Sequence, residues 1–151
     1  MSKKGNELGL RIRRARPGDA PAIAELSGQL GYPTTVTEVT RRMRKLKTGA
    51  RNALFVADAG EAGVVGWTHI SITHLIEVRT RAELNGLIVA EKHRSLGAGA
   101  KLLEAAEDWA RKQRCAGMSV RSNVLRDRAH KFYERQGYEH YKTQKAFRKA
   151  L

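Results

Sequence analysis

From Arg79 to Val89 the chain reads as an apolar strand, and from Gly97 to Gln113 as an amphipathic helix, with a short polar loop between them. In the helix, Leu102, Leu103, Ala106, Trp109 and Ala110 share one face. Glu107 with Arg111 and Asp108 with Lys112 form i,i+4 pairs in the favourable order. A strand that turns directly into a helix is half of a strand–helix–strand unit, so an all-helical or all-strand fold is excluded. The junction reads Val89-Ala90-Glu91-Lys92-His93-Arg94-Ser95-Leu96-Gly97-Ala98-Gly99-Ala100. Its glycines let backbone N–H groups approach an anion, the helix start adds orphan donors and positive dipole, and Arg94 adds a fixed charge. Together these describe a cradle for a pyrophosphate. The pattern is not a Walker A loop, because Ala100-Lys101 follows Gly99 instead of Lys-Ser/Thr. Nor is it a dinucleotide fingerprint, because the third glycine position holds Leu102.

The rest of the chain supplies the surrounding elements. Leu10 to Ala15 alternates apolar and basic residues, as an edge strand would. Asp19 is a plausible N-cap with Pro21 in the first turn; Ile23, Leu26 and Leu30 follow at helical spacing and Gly31 stops the helix. Thr35-Val36-Thr37-Glu38 reads as a capping box. It opens a helix with Val36, Val39, Met43 and Leu46 on one face and Arg41, Arg42, Arg44, Lys45 and Lys47 on the other. Ala53 to Ala59 and Val64 to Ile76 read as strands around a turn. Gly86, inside the strand from Arg79, marks a bulge or a close backbone approach. Gly117 to Ser122 is a strand, Asp127 to Gln136 a helix ending at Gly137, and Tyr138 to Phe147 a closing strand. The expectation is one mixed α/β domain over residues 1–151, with a loose tail at about 1–9.

Composition removes several function classes. At 41% hydrophobic and 29% charged residues the chain suits a globular protein with a buried core. No apolar run approaches the ~20 residues of a membrane span. The N-terminus is basic with no apolar stretch after it, and Cys115 is the lone cysteine, so a cytoplasmic location without disulfides is expected. The formal charge of +14 favours polyanions such as nucleic acid or a phosphorylated cofactor. Lys and Arg are spread along the whole chain and aromatics make up 6%, which argues against a base-stacking nucleic-acid platform. No histidine, cysteine or carboxylate spacing matches a metal site.

Two ordered signatures carry a resemblance. Arg94-Ser95-Leu96-Gly97-Ala98-Gly99 fits Gln/Arg-x-x-Gly-x-Gly/Ala, and the preceding strand ends Leu87-Ile88-Val89. Downstream stand Asn123, Ala129, Phe132-Tyr133-Glu134 and Gly137-Tyr138. In both, the chain resembles the GNAT (GCN5-related) N-acetyltransferase superfamily, over roughly residues 10 to 147. The resemblance implies a GNAT fold: a mixed central sheet of about six to seven strands, about four flanking helices, and a splayed pair of parallel strands that holds the cofactor. It implies transfer of an acetyl group from acetyl-CoA, a co-substrate, to a primary amine in a ternary complex. It also implies roles. Backbone of Leu87, Ile88 and Val89 pairs with the pantetheine arm as an added strand. Arg94, Ser95, Leu96, Gly97, Ala98 and Gly99 hold the pyrophosphate, Asn123 bonds the pantetheine, and Tyr133 lies near the thioester sulfur. A homodimer is left open.

The chemistry needs a base for the protonated amine and an acid for the leaving thiolate. Tyr133 is the candidate acid, against a role in helix packing. Glu83 is the candidate base. It lies eleven residues before Arg94, an offset that resembles the histone-acetylating branch of the family, and burial against Leu84 and Leu87 would tune it. The alternatives are a surface carboxylate paired with Arg79 or Arg81, and a water chain in its place. Glu77, His74 and Tyr141 are substitutes. His69 and His74, five apart on one strand, face opposite sides. Cys115 reads as a small buried residue. The competing functions are a non-catalytic CoA-binding or interaction module, and a basic nucleic-acid-associated protein. The acceptor's identity is not written in the sequence. Candidates are a small amine, an amino acid, an aminoglycoside-like antibiotic or a protein amine.

Overall fold

Apolar alternation, helical periodicity and glycine stops place the elements of the computed structural model, which describes residues 9–46 and 51–151. The expected tail before Gly9, and Lys47 of the basic helix face, lie outside the described residues. The strands are β1 (Arg11–Arg14), β2 (Asn52–Asp58), β3 (Val64–Thr73), β4 (Arg81–Val89) and β5 (Met118–Val120). The helices are α1 (Ala20–Gln29), α2 (Val36–Leu46), α3 (Ala98–Lys112) and α4 (Asp127–Arg135). Two compact units divide the chain, Met1–Arg121 and Ser122–Leu151. The first carries the sheet and α1 to α3; the second carries α4.

The sheet runs β1-β2-β3-β4-β5, antiparallel throughout except for the parallel pair β4–β5. The mixed α/β class and the four helices are as expected. The sheet among the described residues has five strands, where six to seven were expected. The missing member is the closing strand over residues 138–147. Those residues have no regular element, and all but half-buried Tyr138 are exposed. The other large departure is at β3. Its pairing with β4 ends at Thr73 with Arg81, so the strand stops short of Ile76, and Leu75 and Ile76 are exposed.

Period-two alternation gives the sheet two faces with different covers. On one, Val56 packs with Ala20, Ile23 and Ala24 of α1 and Val39 of α2, flanked by Leu54 and Trp67. Ile88 continues that face with Leu26 and Ala90. On the other, Ala57 and Val65 pack with Ala98 and Leu102 of α3, flanked by Phe55, Leu87 and Val89. Leu102, Leu103 and Ile70 are fully buried. Each such side chain contributes about 1.5–3 kcal/mol relative to exposure.

Helix ends follow their local chemistry. Gly31, at φ 90°, closes α1, and Tyr32 N–H reaches back to Ser27 O at 3.0 Å, the bond pattern of a left-handed cap. The capping box of α2 forms as read: Glu38 N–H donates to Thr35 Oγ1 at 3.1 Å and Thr35 N–H to Glu38 Oε2 at 3.2 Å. Asp19 departs from its expected role. It sits at the N-cap of α1 but makes no side-chain cap bond to that helix. Its carboxylate instead accepts two bonds from Arg13, at 2.8 and 2.9 Å, and one from Arg16 N–H at 2.7 Å. Arg13 Nε also donates to Asp58 at 3.0 Å. One guanidinium thus ties β1, the turn before α1 and the end of β2.

Gly86 stands beside an irregularity, as its position in the strand suggested. His69 pairs with Gly86 and Ile70 with Leu84, so Asn85 is an extra residue in β4. Gly86 is needed for packing: a Cβ there would lie 2.9 Å from the Trp67 ring. Gly86→Ala should therefore destabilise the fold by about 1–3 kcal/mol, the usual cost of overpacking. Urea denaturation checks this, and an unchanged midpoint would show that the ring moves aside freely.

Candidate functional site

The loop between β4 and α3 forms a short 3₁₀ helix, Glu91–Leu96, opened by His93 N–H donating to Ala90 O at 2.9 Å. Gly97 then takes φ 76°, ψ 11°, a left-handed conformation that glycine adopts without strain. It redirects the backbone into α3. No side chain caps this helix, and its first bond runs from Lys101 N–H to Gly97 O at 3.1 Å. The N–H groups of Ala98, Gly99 and Ala100 therefore have no acceptor within their own helix, and they sit at its positive end. Arg94 and Leu96 are exposed at the rim. His93 Nδ1 is buried in the same turn with no hydrogen-bond partner. Uncapped donors, a glycine turn, an orphaned ring nitrogen and a cation at the rim fit a phosphorylated ligand.

Beside this loop β4 has an open edge. Its pairing with β5 covers only Ala82, Glu83 and Leu84, against Met118, Ser119 and Val120. From Asn85 to Val89 that side of the strand has no β5 partner. The two parallel strands therefore part immediately after Leu84. Backbone groups of Leu87, Ile88 and Val89 on such an edge can take an extended ligand as an added strand. The Ile88 side chain is committed to the core at 5% exposure, so only its backbone can serve.

Glu83 sits at the fork. Its carboxylate meets Arg121 Nε at 2.8 Å, with side-chain exposures of 20% and 82%. The partner is neither Arg79 nor Arg81. The expected apolar surround is also absent: Leu84 and Leu87 point to the α3 face, while Glu83, in register with Ser71, points to the α1/α2 face. Across that face Asn52, Ser71 and Glu83 stand in one row on three neighbouring strands. Asn85 Nδ2 donates to Ser71 Oγ at 2.8 Å, and His69 Nε2 meets Asn52 Oδ1 at 3.0 Å. Because a carbonyl oxygen only accepts, this contact assigns the His69 proton to Nε2. Burial pushes the imidazole below its ordinary value, so it is neutral at pH 7.

In the second unit, Asn123 Oδ1 accepts from Leu125 N–H at 2.9 Å, and Asn123 O is met by His130 Nε2 at 2.8 Å. This leaves the exposed Asn123 amide NH₂ as a donor. Tyr133 is half-buried on α4, edge-on to Phe132 and Tyr138 at ring separations of 5.3 and 5.9 Å. Burial pushes its phenol above the ordinary value. The substitute bases are less suited. His74 Nδ1 contacts Thr80 Oγ1 at 3.2 Å, and Tyr141 is 65% exposed. The Cys115 thiol is also pushed up by burial, away from nucleophilic use. Arg121 and Ser71 escaped sequence reasoning. Parallel pairing brings Arg121 to Glu83 across 38 positions, and no local pattern announces that.

Among the described residues, no group of three or more His, Cys, Asp or Glu could hold a metal ion, and no helix is long and apolar enough to cross a membrane. A cavity of about 430 Å³ opens between α2 and the start of β2, lined by Arg14, Met43, Leu46, Asn52 and Leu54 among others.

The sequence model of the Acetyltransferase (GNAT) family matches residues 23–138. An uncharacterized N-acetyltransferase of Bacillus subtilis (strain 168), YhfO, is 29% identical over 136 residues, covering 86% of this chain and 90% of that protein. Among solved structures, a putative acetyltransferase from Agrobacterium tumefaciens str. C58 superposes with TM-score 0.81 at 23% identity, covering 93% of this chain and 100% of that one. Glucosamine-6-phosphate N-acetyltransferase from Arabidopsis thaliana gives 0.79 at 19% identity, covering 92% and 97%. The aminoglycoside 6'-N-acetyltransferase AAC(6')-IG of Acinetobacter haemolyticus gives 0.80 at 18%, covering 94% and 99%. At these identities the structural likenesses speak for the fold.

Proposed function

The chain belongs to the GNAT acetyltransferase family and is an acyltransferase, and on that premise we propose that it acetylates a primary amine with acetyl-CoA as co-substrate. The observation that carries this reading is the uncapped, glycine-turned start of α3 beside the open edge of β4. One feature suits a pyrophosphate and the other an extended pantetheine arm. The family match crosses from the first compact unit into the second, which supports reading residues 1–151 as one acetyltransferase domain.

Acetyl-CoA supplies an acetyl group activated as a thioester. Leu87, Ile88 and Val89 present backbone groups to the arm. Arg94, Ser95, Leu96, Gly97, Ala98 and Gly99 enclose the pyrophosphate, and Asn123 donates its amide to the pantetheine. The carboxylate of Glu83 takes a proton from the acceptor ammonium, directly or through water. The free amine nitrogen then forms the C–N bond to the acetyl carbon as the C–S bond breaks, and it sheds its remaining surplus proton to water as the neutral amide forms. The Tyr133 hydroxyl gives its proton to the leaving sulfur.

Calorimetric titration of acetyl-CoA tests this, with a dissociation constant in the micromolar range expected of enzyme co-substrates. It is paired with thiol release on a panel of primary amines. Arg94→Ala should weaken acetyl-CoA binding about tenfold through loss of one charge-assisted contact, with a smaller salt dependence than the parent. An undetectable affinity in the parent protein would overturn the reading. Binding without turnover on any amine would assign the chain to CoA binding alone.

A further inference from the structure

After α4 comes a strand-like segment without a neighbouring strand. Among the described residues, 139–151 belong to no helix or strand, and their backbone N–H groups reach no backbone acceptor. No glycine or proline interrupts them. Tyr141, Thr143 and Phe147 fall at one parity of an extended chain, and all three are strand formers. Both aromatic rings are exposed in the single chain. An extended segment that buries nothing has no gain to offset the entropy of ordering it, so this one needs a partner.

In the first unit, β5 is the last strand of the sheet, and a terminal strand is a template for another. It starts at an apolar corner. Ala116 N–H donates to Thr80 O at 2.9 Å and Ala82 N–H to Gly117 O at 3.0 Å, which sets the start of β5 against the end of the β3–β4 turn. That turn leaves Leu75, Ile76 and Val78 exposed. Neighbouring aliphatic side chains in water form a patch, unlike scattered single ones. One chain thus carries a sheet edge with aliphatic residues beside it, and a strand-like segment with aromatic residues on it.

We propose that the occupant of this edge is a second copy of the chain: residues 139–147 of each copy add as a strand beside β5 of the other. Nine extended residues span about 30 Å, against about 10 Å for the three of β5, so the added strand overruns β5 and brings an aromatic ring to the Leu75–Val78 corner. The exchange is reciprocal, so the pair closes under a two-fold axis. Each copy has a formal charge of +14, so like charges oppose the pairing. Backbone bonds and apolar contact carry it, and salt tightens it by screening.

Light scattering on a concentration series should show a monomer–dimer equilibrium, tighter at about 0.5 M than at about 0.05 M salt. Lys142→Pro with Thr143→Pro removes two successive N–H donors, one of which faces the partner strand. The dimer dissociation constant should rise about 10–100-fold, because the two-fold axis counts each lost bond twice. Ile76→Lys, on the other half of the surface, should raise it at least about tenfold. All three positions are exposed, and unchanged far-UV circular dichroism verifies folding. To separate exchange from pairing within one chain, a copy labelled on its Ile methyls is mixed with a copy labelled on its aromatic rings. Magnetisation transfer between Ile76 and Tyr141 or Phe147 then arises only across copies. A monomer at every concentration up to about 1 mM would overturn the proposal. So would a dimer that neither variant weakens, one that salt loosens, or transfer found only within a single uniformly labelled chain. None of these outcomes bears on the acetyltransferase reading.

Discussion

Tyr133→Phe should lower kcat by about 10²–10⁴-fold, the worth of one general acid, while acetyl-CoA binding stays near that of the parent. The ring remains, so its edge contacts with Phe132 and Tyr138 survive and the fold should melt as before. What disappears is one hydroxyl proton. The direction of its titration matters here. Burial raises the phenol above its ordinary value, and the Arg126 charge opposes this more weakly. A raised value keeps the donor protonated through neutral pH. The alkaline limb of turnover due to Tyr133 should therefore begin only above the ordinary tyrosine value of about 10. Single-turnover kinetics at several pH values would measure both effects. Full turnover in the Phe variant would remove Tyr133 from the acid role.

Asp19→Ala should cost about 2–3 kcal/mol of stability, or a fall of roughly 4–12 °C in Tm. Asp19 is 8% exposed and bonds the Arg13 guanidinium twice. Removing it strands that cation, although Asp58 retains one bond and holds the loss below that of an isolated buried pair. The same network sets an acid limit. Its hydrogen bonds from Arg13 lower the Asp19 carboxyl below its ordinary value, and Arg13 does the same for Asp58. A group lowered in the folded state stabilises fully above the unfolded value of about 3.9, and that contribution drains away as pH falls through the folded value. Between pH 5 and 8 these two groups should leave stability flat. Below about pH 4 the parent should lose stability faster than the Ala variant. Denaturation series at pH 7, 5 and 3 would show it, and parallel curves would contradict the assignment.

Much of the fold was legible because its signals are local. The Thr35–Glu38 box, the Gly31 stop and the Leu102–Ala110 stripe each depend on residues within one or two turns. The glycine-opened start of α3 is local as well, so its uncapped N–H groups could be read directly. What failed depended on partners. Residues 138–147 alternate like a strand, but a strand exists only where a neighbour accepts its backbone bonds, and the unit from Ser122 to Leu151 has no second strand among the described residues. Asp19 has the look of a cap, yet a guanidinium from β1 outcompetes the helix for its oxygens. Glu83 was singled out as a candidate base by its offset from Arg94, but its surroundings were misread. Which face it occupies depends on the register with Ser71, and its charge partner arrives from β5.

The extra residue Asn85 changes the parity of β4. Counted by twos from Glu83, an unbroken strand would send Leu87 and Val89 to the same side as the carboxylate. The insertion puts them out of phase, so they reach α3 while Glu83 stays with α1 and α2. The strand is thus two half-strands with independent facing. Substitutions before the bulge can alter the α1/α2 face without turning the Leu87–Val89 edge over. Deletion of Asn85 would do the reverse, inverting one half against the other at a single stroke.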